Sequence, residues 1–258
     1  MLTPFEHSNH VAKHNLPKEK LDLWTTATSG QTITPCVDFP AQYAGRVYWQ
    51  ISDGTLKPAT SGAEISHTFA ADGPHRVRLI GVPVAELTRI DAPSDYLTGD
   101  IGKIRWNLYR NLVTLYLSST SVSGDIANLA GLSELANLYL HSTSATCGST
   151  FTASWVGMRN VQVQNCLMSQ AAVGNIIESI WNARAGFTYA TPELNVGGTN
   201  AAPAGNVTAP IEGADWHDDG GTWIPLTAGA MIWDLAKDVN SEGFKKWTIT
   251  YNGGVASP

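Results

Sequence analysis

The chain has 258 residues, a length that suits one large domain or two modest ones. Charged side chains make up 15% of it, and its formal net charge is −6 at pH 7. Its acidic balance, with no basic run after residue 20, excludes nucleic acid and anionic membranes as expected partners. Because no apolar run approaches the length of a membrane span, we expect no membrane insertion. The three scattered cysteines predict reduced, packed thiols rather than a disulfide framework.

Residues 1–20 form a polar segment with three histidines, three lysines and two prolines. This composition predicts an extended arm that attaches the protein to a larger assembly, and a disordered tail explains it equally well. The segment also lacks the apolar core of a secretory signal, so the expectation is that the chain folds in the cytosol.

Residues 21–84 contain short alternating stretches, such as 31–34, 46–51 and 75–80, that predict half-buried β-strands. The segments YWQISDGT at 48–55, HTF at 67–69 and DGPHRV at 72–77 resemble the landmarks of PKD-like β-sandwiches, with Ser52 in place of a glycine and Phe69 in place of a tyrosine. The resemblance implies an immunoglobulin-like sandwich that acts as a spacer or adhesion module. It also implies a tight turn at Asp53 and Gly54.

A sequence repeat follows this segment. LTGDI at 97–101 recurs as VSGDI at 122–126, and LVTLYL at 112–117 recurs as LANLYL at 135–140. The second motif matches LxxLxL, the strand of a leucine-rich repeat. Extending the register predicts six strands, of which the other four have these apolar positions: Leu87, Ile90 and Ala92; Met158, Val161 and Val163; Thr191, Leu194 and Val196; Phe244, Trp247 and Ile249.

A polar or thiol residue stands three positions after the last apolar residue of each predicted strand. Such a side chain can bond the backbone of the turn that leaves the strand, and its repetition links neighbouring coils. Cys166 is interpreted as one of these structural residues rather than as a redox group. The predicted ladder consists of Asp95, Thr120, Thr143, Cys166, Thr199 and Asn252.

Two insertions lengthen the later repeats, and each predicts a helix. Residues 170–183 place five apolar side chains on one helical face, packed on the convex side of the coil, and residues 227–237 predict a second helix. Residues 244–251 are expected to cap the stack. The predicted fold is therefore mainly β with some α, a PKD/Ig-like β-sandwich over residues 21–84 followed by a short leucine-rich-repeat solenoid over residues 85–258. The five apolar residues are Val173, Ile176, Ile177, Ile180 and Trp181.

The segments NVGGTNAAP at 195–203, IWDLAKD at 232–238 and EGFKKWTIT at 242–250 resemble the ends of leucine-rich-repeat proteins in bacteriophage tails and prophages. The resemblance implies a virion structural protein, either a tail-fibre, tail-tip or head-decoration component, that forms homo-oligomers and contacts other virion proteins. Together with the PKD-like front, the chain also resembles bacterial leucine-rich-repeat surface proteins, so a cell-surface adhesin domain is the alternative. Because surface proteins need export, the missing signal favours the virion.

The outward positions of the predicted strands form a polar and aromatic strip with little charge. Such a strip suits the hydroxyls of a host-surface glycan or a polar protein surface. The alternative is that Tyr116 and Tyr139 form a cross-strand ladder or pack on a neighbouring subunit. The predicted outward residues are Thr114, Tyr116, Ser118, Asn137, Tyr139, His141, Asn160, Gln162 and Gln164.

The sequence contains no recognisable catalytic motif, so we expect a non-enzymatic protein without a cofactor. The best candidates for a metal or acid/base site are Asp215, His217, Asp218 and Asp219, and a solvated, glycine-rich loop explains them more simply. Asp100 and Asp125 could be paired acids one coil apart, but both occupy the same GDI turn, which favours a structural role. That the protein is a polysaccharide-degrading enzyme is the remaining, less favoured hypothesis about its function.

Overall fold

The computed structural model describes residues 20–93, 96–152, 154–155 and 157–258, which fold into a mainly β structure with two α-helices. The prediction of mainly β structure with some α is confirmed. The predicted N-terminal arm lies outside the described residues, apart from Lys20, and so does the predicted ladder residue Asp95.

The first part of the chain forms antiparallel sheet. β1 pairs along its whole length with β7, which pairs in turn with β4, and β4 with β5, while β2 and β6 form a separate two-stranded sheet. The expected turn follows β4, where the Asp53 carboxylate accepts a hydrogen bond from the Thr55 N–H at 2.9 Å and Gly54 has a φ of 92°. The strands are β1 (Leu21–Ala27), β2 (Thr32–Ile33), β3 (Cys36–Asp38), β4 (Tyr48–Ile51), β5 (Leu56–Pro58), β6 (His67–Thr68) and β7 (Gly73–Ile80).

The six strands predicted from the repeat are all present and parallel. Their central residues are aligned from Ile90 through Leu115, Leu138, Val161 and Leu194 to Ile249, and each is almost fully buried. Inward aliphatic side chains thus stack in one row, because strands of the same register place every second residue on the same face. The strands are β8 (Arg89–Asp91), β10 (Thr114–Tyr116), β12 (Asn137–Tyr139), β14 (Asn160–Gln162), β15 (Glu193–Asn195) and β18 (Thr248–Tyr251).

A second row of parallel strands carries the GDI turns. The Asp100 side chain accepts a hydrogen bond from the Gly102 N–H, and Asp125 accepts one from the Ala127 N–H, so each aspartate caps a short 3-10 helix. The structural role predicted for both carboxylates is confirmed. The strands of this row are β9 (Leu97–Asp100), β11 (Ser121–Asp125) and β13 (Ser144–Thr146).

The two predicted helices are α1 (Gln170–Asn182) and α2 (Ala228–Lys237). Ser169 and Thr227 cap them, since each side chain accepts a hydrogen bond from the backbone N–H three residues later. The helices are joined by Trp181, whose indole N–H donates to the buried Asp234 carboxylate at 2.7 Å. A hairpin of β16 (Trp216–Asp219) and β17 (Thr222–Pro225) precedes α2, and β19 (Gly254–Ala256) folds back antiparallel on β18.

Strands from residues 21–84, here called the front strands, and strands from the repeat, here called the coil strands, occur together in both large sheets. β1 pairs with β9, which places the front in the seven-stranded sheet with β11 and β13, and β3 pairs with β8 at the edge of the eight-stranded sheet. One hydrophobic cluster runs from Leu21 to Ala256. The division at residue 84 stays a prediction, and the packing on both sides of it is continuous.

The polar ladder is present with one correction. Thr120 and Thr143 donate to the carbonyl oxygens of Leu117 and Leu140 at 2.7 and 2.6 Å, and the Cys166 thiol donates to the Leu140 carbonyl oxygen at 3.1 Å. These bonds match the structural interpretation of Cys166.

In the next coil the ladder residue is Asn200 rather than the predicted Thr199, which is exposed. Asn200 is 1% exposed, donates to the carbonyl oxygens of Val163 and Val196, and accepts from the N–H groups of Cys166 and Met168. The prediction was one residue short because Asn200 stands four residues after Val196, whereas the ladder residues of the preceding coils stand three residues after the last apolar position. The side chain of Asn252, also predicted in the ladder, donates to the Asn200 carbonyl oxygen.

The register predicted for the last strand was also wrong, by two residues. Trp247 was expected at the strand centre, but Ile249 is the residue that pairs with Leu194. Trp247 lies before the strand, is fully buried, and donates its backbone N–H to the carbonyl oxygen of Leu235 in α2. Its indole ring packs edge-on against Phe187, with ring centroids 5.0 Å apart, and the strand begins at the next residue.

Candidate binding face

The outward side of the eight-stranded sheet is the face predicted from the repeat, here called the outward face. In β10, β12 and β14 the central residue is buried while its two neighbours are half-buried, so the side chains alternate between core and surface. Six of the eight predicted residues lie within these strands, and His141 and Gln164 continue the alternation two residues beyond β12 and β14. All eight are half-buried: Thr114, Tyr116, Asn137, Tyr139, His141, Asn160, Gln162 and Gln164.

One row of the outward face is a chain of hydrogen bonds. The Asn137 side-chain amide donates to the Thr114 hydroxyl at 3.2 Å, and the Asn160 amide donates to the Asn137 carbonyl oxygen at 2.9 Å. The parallel register places these residues directly opposite one another. Each side chain is held in one orientation by its neighbour, so the row offers fixed donors and acceptors.

The adjacent row is aromatic. The rings of Tyr116 and Tyr139 have centroids 4.9 Å apart at 42°, and His141 lies 6.2 Å from Tyr116. Burial raises the pKa of Tyr139, with smaller contributions from Tyr116 and Glu193, and burial lowers the pKa of His141. Both shifts favour the neutral forms of Tyr139 and His141 at neutral pH.

Ser118 was predicted to point outward, and this is wrong. It is 1% exposed, whereas Gln162 and Gln164 are half-buried as expected for the outward side. The burial of Ser118 is particular to its own coil, because His141 and Gln164 follow β12 and β14 at the same position and remain half-buried.

The strip extends beyond the predicted residues, and its charges lie toward the two ends. Arg89 and Asp91 of β8 form an ion pair beside Thr114 and Tyr116, and Glu193 of β15 lies beside Asn160. Applying the same alternation to β8 and β15 would have found these residues from the sequence. The outward positions of β10, β12 and β14 therefore carry no charged side chain.

The candidates in the long loop do not converge on one site. Asp215 accepts hydrogen bonds from the Asn206 backbone and side chain and from the Thr227 hydroxyl, which fastens the loop to the start of α2. His217 lies 3.2 Å from Glu212, which also accepts from the Asp218 N–H.

The remaining side chains of this loop are equally separate. The Asp218 carboxylate accepts from the Gly221 N–H within the hairpin turn, and Asp219 is exposed at the end of β16. Trp216 is 1% exposed and belongs to the interior. Across the described part of the chain, no group of three or more His, Cys, Asp or Glu side chains is arranged to hold a metal ion.

The three cysteines, Cys36, Cys147 and Cys166, are free and buried, and burial raises the pKa of Cys147 to about 12.

Neither helix of the described residues has the length and apolar character needed to span a bilayer.

A scan against protein-family models, a search of curated proteins and a search of solved structures each found no match for this chain.

Proposed function

We propose that this protein is a non-enzymatic structural and recognition component of a bacteriophage particle, in a tail fibre, a tail tip or a head decoration. In this proposal residues 21–84 are a PKD-like spacer, and residues 85–258 are a leucine-rich-repeat solenoid that presents the outward face. The observation that carries the proposal is the neutral, preorganised strip of paired tyrosine rings and bonded amides. In the part of the chain that the structure describes, these side chains stay partly exposed, which supports contact with another molecule.

The chemistry of the strip suits a glycan. Sugar rings offer apolar C–H faces to aromatic side chains and hydroxyl groups to amides, and Tyr116 and Tyr139 lie beside the row of Thr114, Asn137 and Asn160. Because the outward positions of β10, β12 and β14 carry no charged side chain, the preferred ligand is a neutral oligosaccharide. A polar surface of an adjacent virion protein would use the same groups.

The setting on a particle is supported by the likeness of the three C-terminal segments to bacteriophage leucine-rich-repeat proteins. Many copies on one particle would bind a host surface together, so a weak affinity at each copy is sufficient. The same face would serve a bacterial surface adhesin, the alternative setting, in which the copies are displayed on a cell.

The first test is isothermal titration calorimetry with neutral host-surface oligosaccharides. The double variant Tyr116→Ala/Tyr139→Ala is expected to weaken binding at least about tenfold, because it removes the stacked rings. The control is Tyr48→Ala, a half-buried tyrosine on the other large sheet, which should bind as the parent protein does.

Mass photometry of the same three proteins separates a glycan face from a subunit contact. If the double variant loses the oligosaccharide but keeps the parent's oligomeric state, the face binds glycan. If it dissociates the oligomer and no oligosaccharide binds the parent protein, the face is an assembly contact. If neither binding nor assembly changes, the proposed function of this face is wrong.

A further inference from the structure

A cavity of about 780 Å³ lies where β1 meets β9, on a different sheet from the outward face. The two strands pair only at Trp24 with Thr98 and at Thr25 with Leu97. Beyond Trp24 they diverge, and residues on both branches line the cavity. Because β7 holds β1 and β11 holds β9 on their far sides, the sheets themselves keep this fork open.

The interior of the cavity is apolar. Leu21 and Leu23 from β1, Leu97 from β9, and Leu117 and Val122 from the following coil line it, and each of these is less than 8% exposed. The cavity volume falls within the range of small-molecule sites, which are concave and mostly apolar. An alkyl group placed here would leave water and replace no polar partner.

The mouth of the cavity is cationic, although the chain as a whole is acidic. Lys20, Lys103 and Arg105 line it and are exposed, and none of them forms an ion pair with another described residue. Of the two carboxylates that line the cavity, Asp22 is paired with Arg78 through two hydrogen bonds of 2.6 Å, whereas Asp100 accepts from the Gly102 N–H and keeps its charge. Three cations against one unpaired carboxylate leave the mouth positive toward an anionic group.

We propose that this cavity binds an anionic amphiphile, with an alkyl chain inside the fork and a carboxylate or phosphate head at Lys20, Lys103 and Arg105. The site is separate from the outward face and does not depend on its function. Trp24, which lines the cavity and is 50% exposed, would cover part of the ligand's alkyl chain. The lining thus offers cations to the head group and aliphatic side chains to the alkyl chain.

The geometry favours this ligand over a sugar or a peptide. Sugar hydroxyls would lie against aliphatic side chains without hydrogen-bond partners, which is costly. A peptide strand would need strand edges of ordinary length, about five residues, whereas the fork offers only the short stretch beyond Trp24 on β1. A small inorganic anion would leave the apolar interior unused.

The test is calorimetric titration of the full chain with dodecanoate, below the concentration at which it forms micelles. Binding should weaken roughly tenfold for each two methylenes removed, as in decanoate and octanoate, because each methylene leaves water on binding. Acetate has the anionic head without the chain, and dodecyl maltoside has the chain without the charge. Both should bind at least about tenfold more weakly than dodecanoate.

The double variant Lys103→Glu/Arg105→Glu is expected to weaken dodecanoate binding at least tenfold. Its matched control, Lys245→Glu/Lys246→Glu, makes the same change in net charge at two exposed positions outside the cavity and should bind normally. Leu108→Trp, at a half-buried lining position, should block the interior while circular dichroism shows an unchanged fold.

Several results would overturn the inference. They are no binding of dodecanoate by the parent protein, equal binding of acetate or dodecyl maltoside, and equal loss in the two charge variants. Displacement of dodecanoate by an acidic, apolar peptide that binds more tightly would reassign the cavity to a protein partner. Phosphate-headed and carboxylate-headed probes of the same chain length then identify the preferred head group.

Discussion

Leu115 and Leu138 face each other across neighbouring strands, and neither has any exposed surface. Each side chain lies in the row that fills the coil, so its removal leaves a cavity with few ways to collapse. We expect Leu115→Ala and Leu138→Ala each to lower the free energy of unfolding by about 2–5 kcal/mol, measured by chemical denaturation. Leu167→Ala, at a position 80% exposed, is the control and should change it by less than about 0.5 kcal/mol. A neutral result at Leu115 would contradict its place in the packed row of the coil.

Asn200 and Thr199 provide a matched pair at neighbouring positions. The Asn200 side chain forms four hydrogen bonds with buried backbone groups: its amide N–H groups donate two, and its oxygen accepts two. Asn200→Ala removes all four, so we expect the free energy of unfolding to fall by at least about 2 kcal/mol. Thr199→Ala, at an exposed position, should be nearly neutral. The opposite ranking in urea denaturation would restore Thr199 as the ladder residue.

This pair also shows where residue-level prediction stops. Counting three positions from the last apolar residue finds Thr120, Thr143 and Cys166 correctly, because those coils leave the strand through turns of equal length. The count fails at Thr199 because this turn has one more residue between the last apolar position, Val196, and the ladder side chain, Asn200. Only the backbone path decides which side chain reaches the neighbouring coil.

His67 gives the fold a pH dependence. Burial lowers the pKa of His67 below its ordinary value of 6.5, against the opposing effect of Asp53, whose carboxylate lies 3.1 Å away. The unfolded chain therefore binds this proton more readily than the fold does. The contribution of His67 to stability is complete above about pH 6.5 and is lost as the pH falls from there through the lower pKa of the folded state.

The expected result is that the free energy of unfolding falls between about pH 7.5 and 5.5, and that His67→Gln makes this dependence shallower. Denaturation midpoints at several pH values measure it. An identical slope in the variant would mean that the protonation of His67 is not coupled to folding.

Among the elements, the two helices were the easiest to predict, since their apolar residues recur at helical spacing and both begin at a capping hydroxyl. Their contact was not predictable in this way. Trp181 was expected to be one more apolar residue of the α1 stripe, but its indole N–H bonds the buried Asp234 of α2 and its ring lies under Arg184. A periodic pattern identifies a face but does not identify its partner.

Trp181→Phe tests this contact between helices. It keeps an aromatic ring but leaves one oxygen of the buried Asp234 carboxylate without its indole donor, so we expect a loss of about 1–3 kcal/mol in the free energy of unfolding. Trp233→Phe, also at a half-buried position but on α2, is the control and should cost less. Equal losses would show that the hydrogen bond adds nothing to the packing of the ring.

At the scale of the whole molecule, both large sheets run across the boundary between the front strands and the coils. The β3 strand links the two parts directly, because it lies in the front sequence and pairs with β8. Val37, at its centre, is 1% exposed and faces Ile90.

We expect Val37→Ala to lower the unfolding midpoint of the entire chain rather than of the front alone. Hydrogen exchange followed by mass spectrometry should show β7 and β18, which lie far apart in the sequence, losing protection together in the parent and in the variant. Two separate transitions would indicate that residues 21–84 and 85–258 unfold independently, which would support the predicted domain division.

The sequence by itself determined the elements whose signal is periodic: the parallel strands, both helices, the GDI turns and the polar and aromatic side of the coil sheet. These follow from local geometry, because alternation and helical spacing state which side chains share a face. The tertiary structure alone decided the ladder position at Asn200, the register at Ile249, the burial of Ser118, the joining of the front to the coils and the cavity between β1 and β9. Each of these depends on turns and on contacts between distant residues, where a shift of one residue changes every partner and leaves the local pattern unchanged.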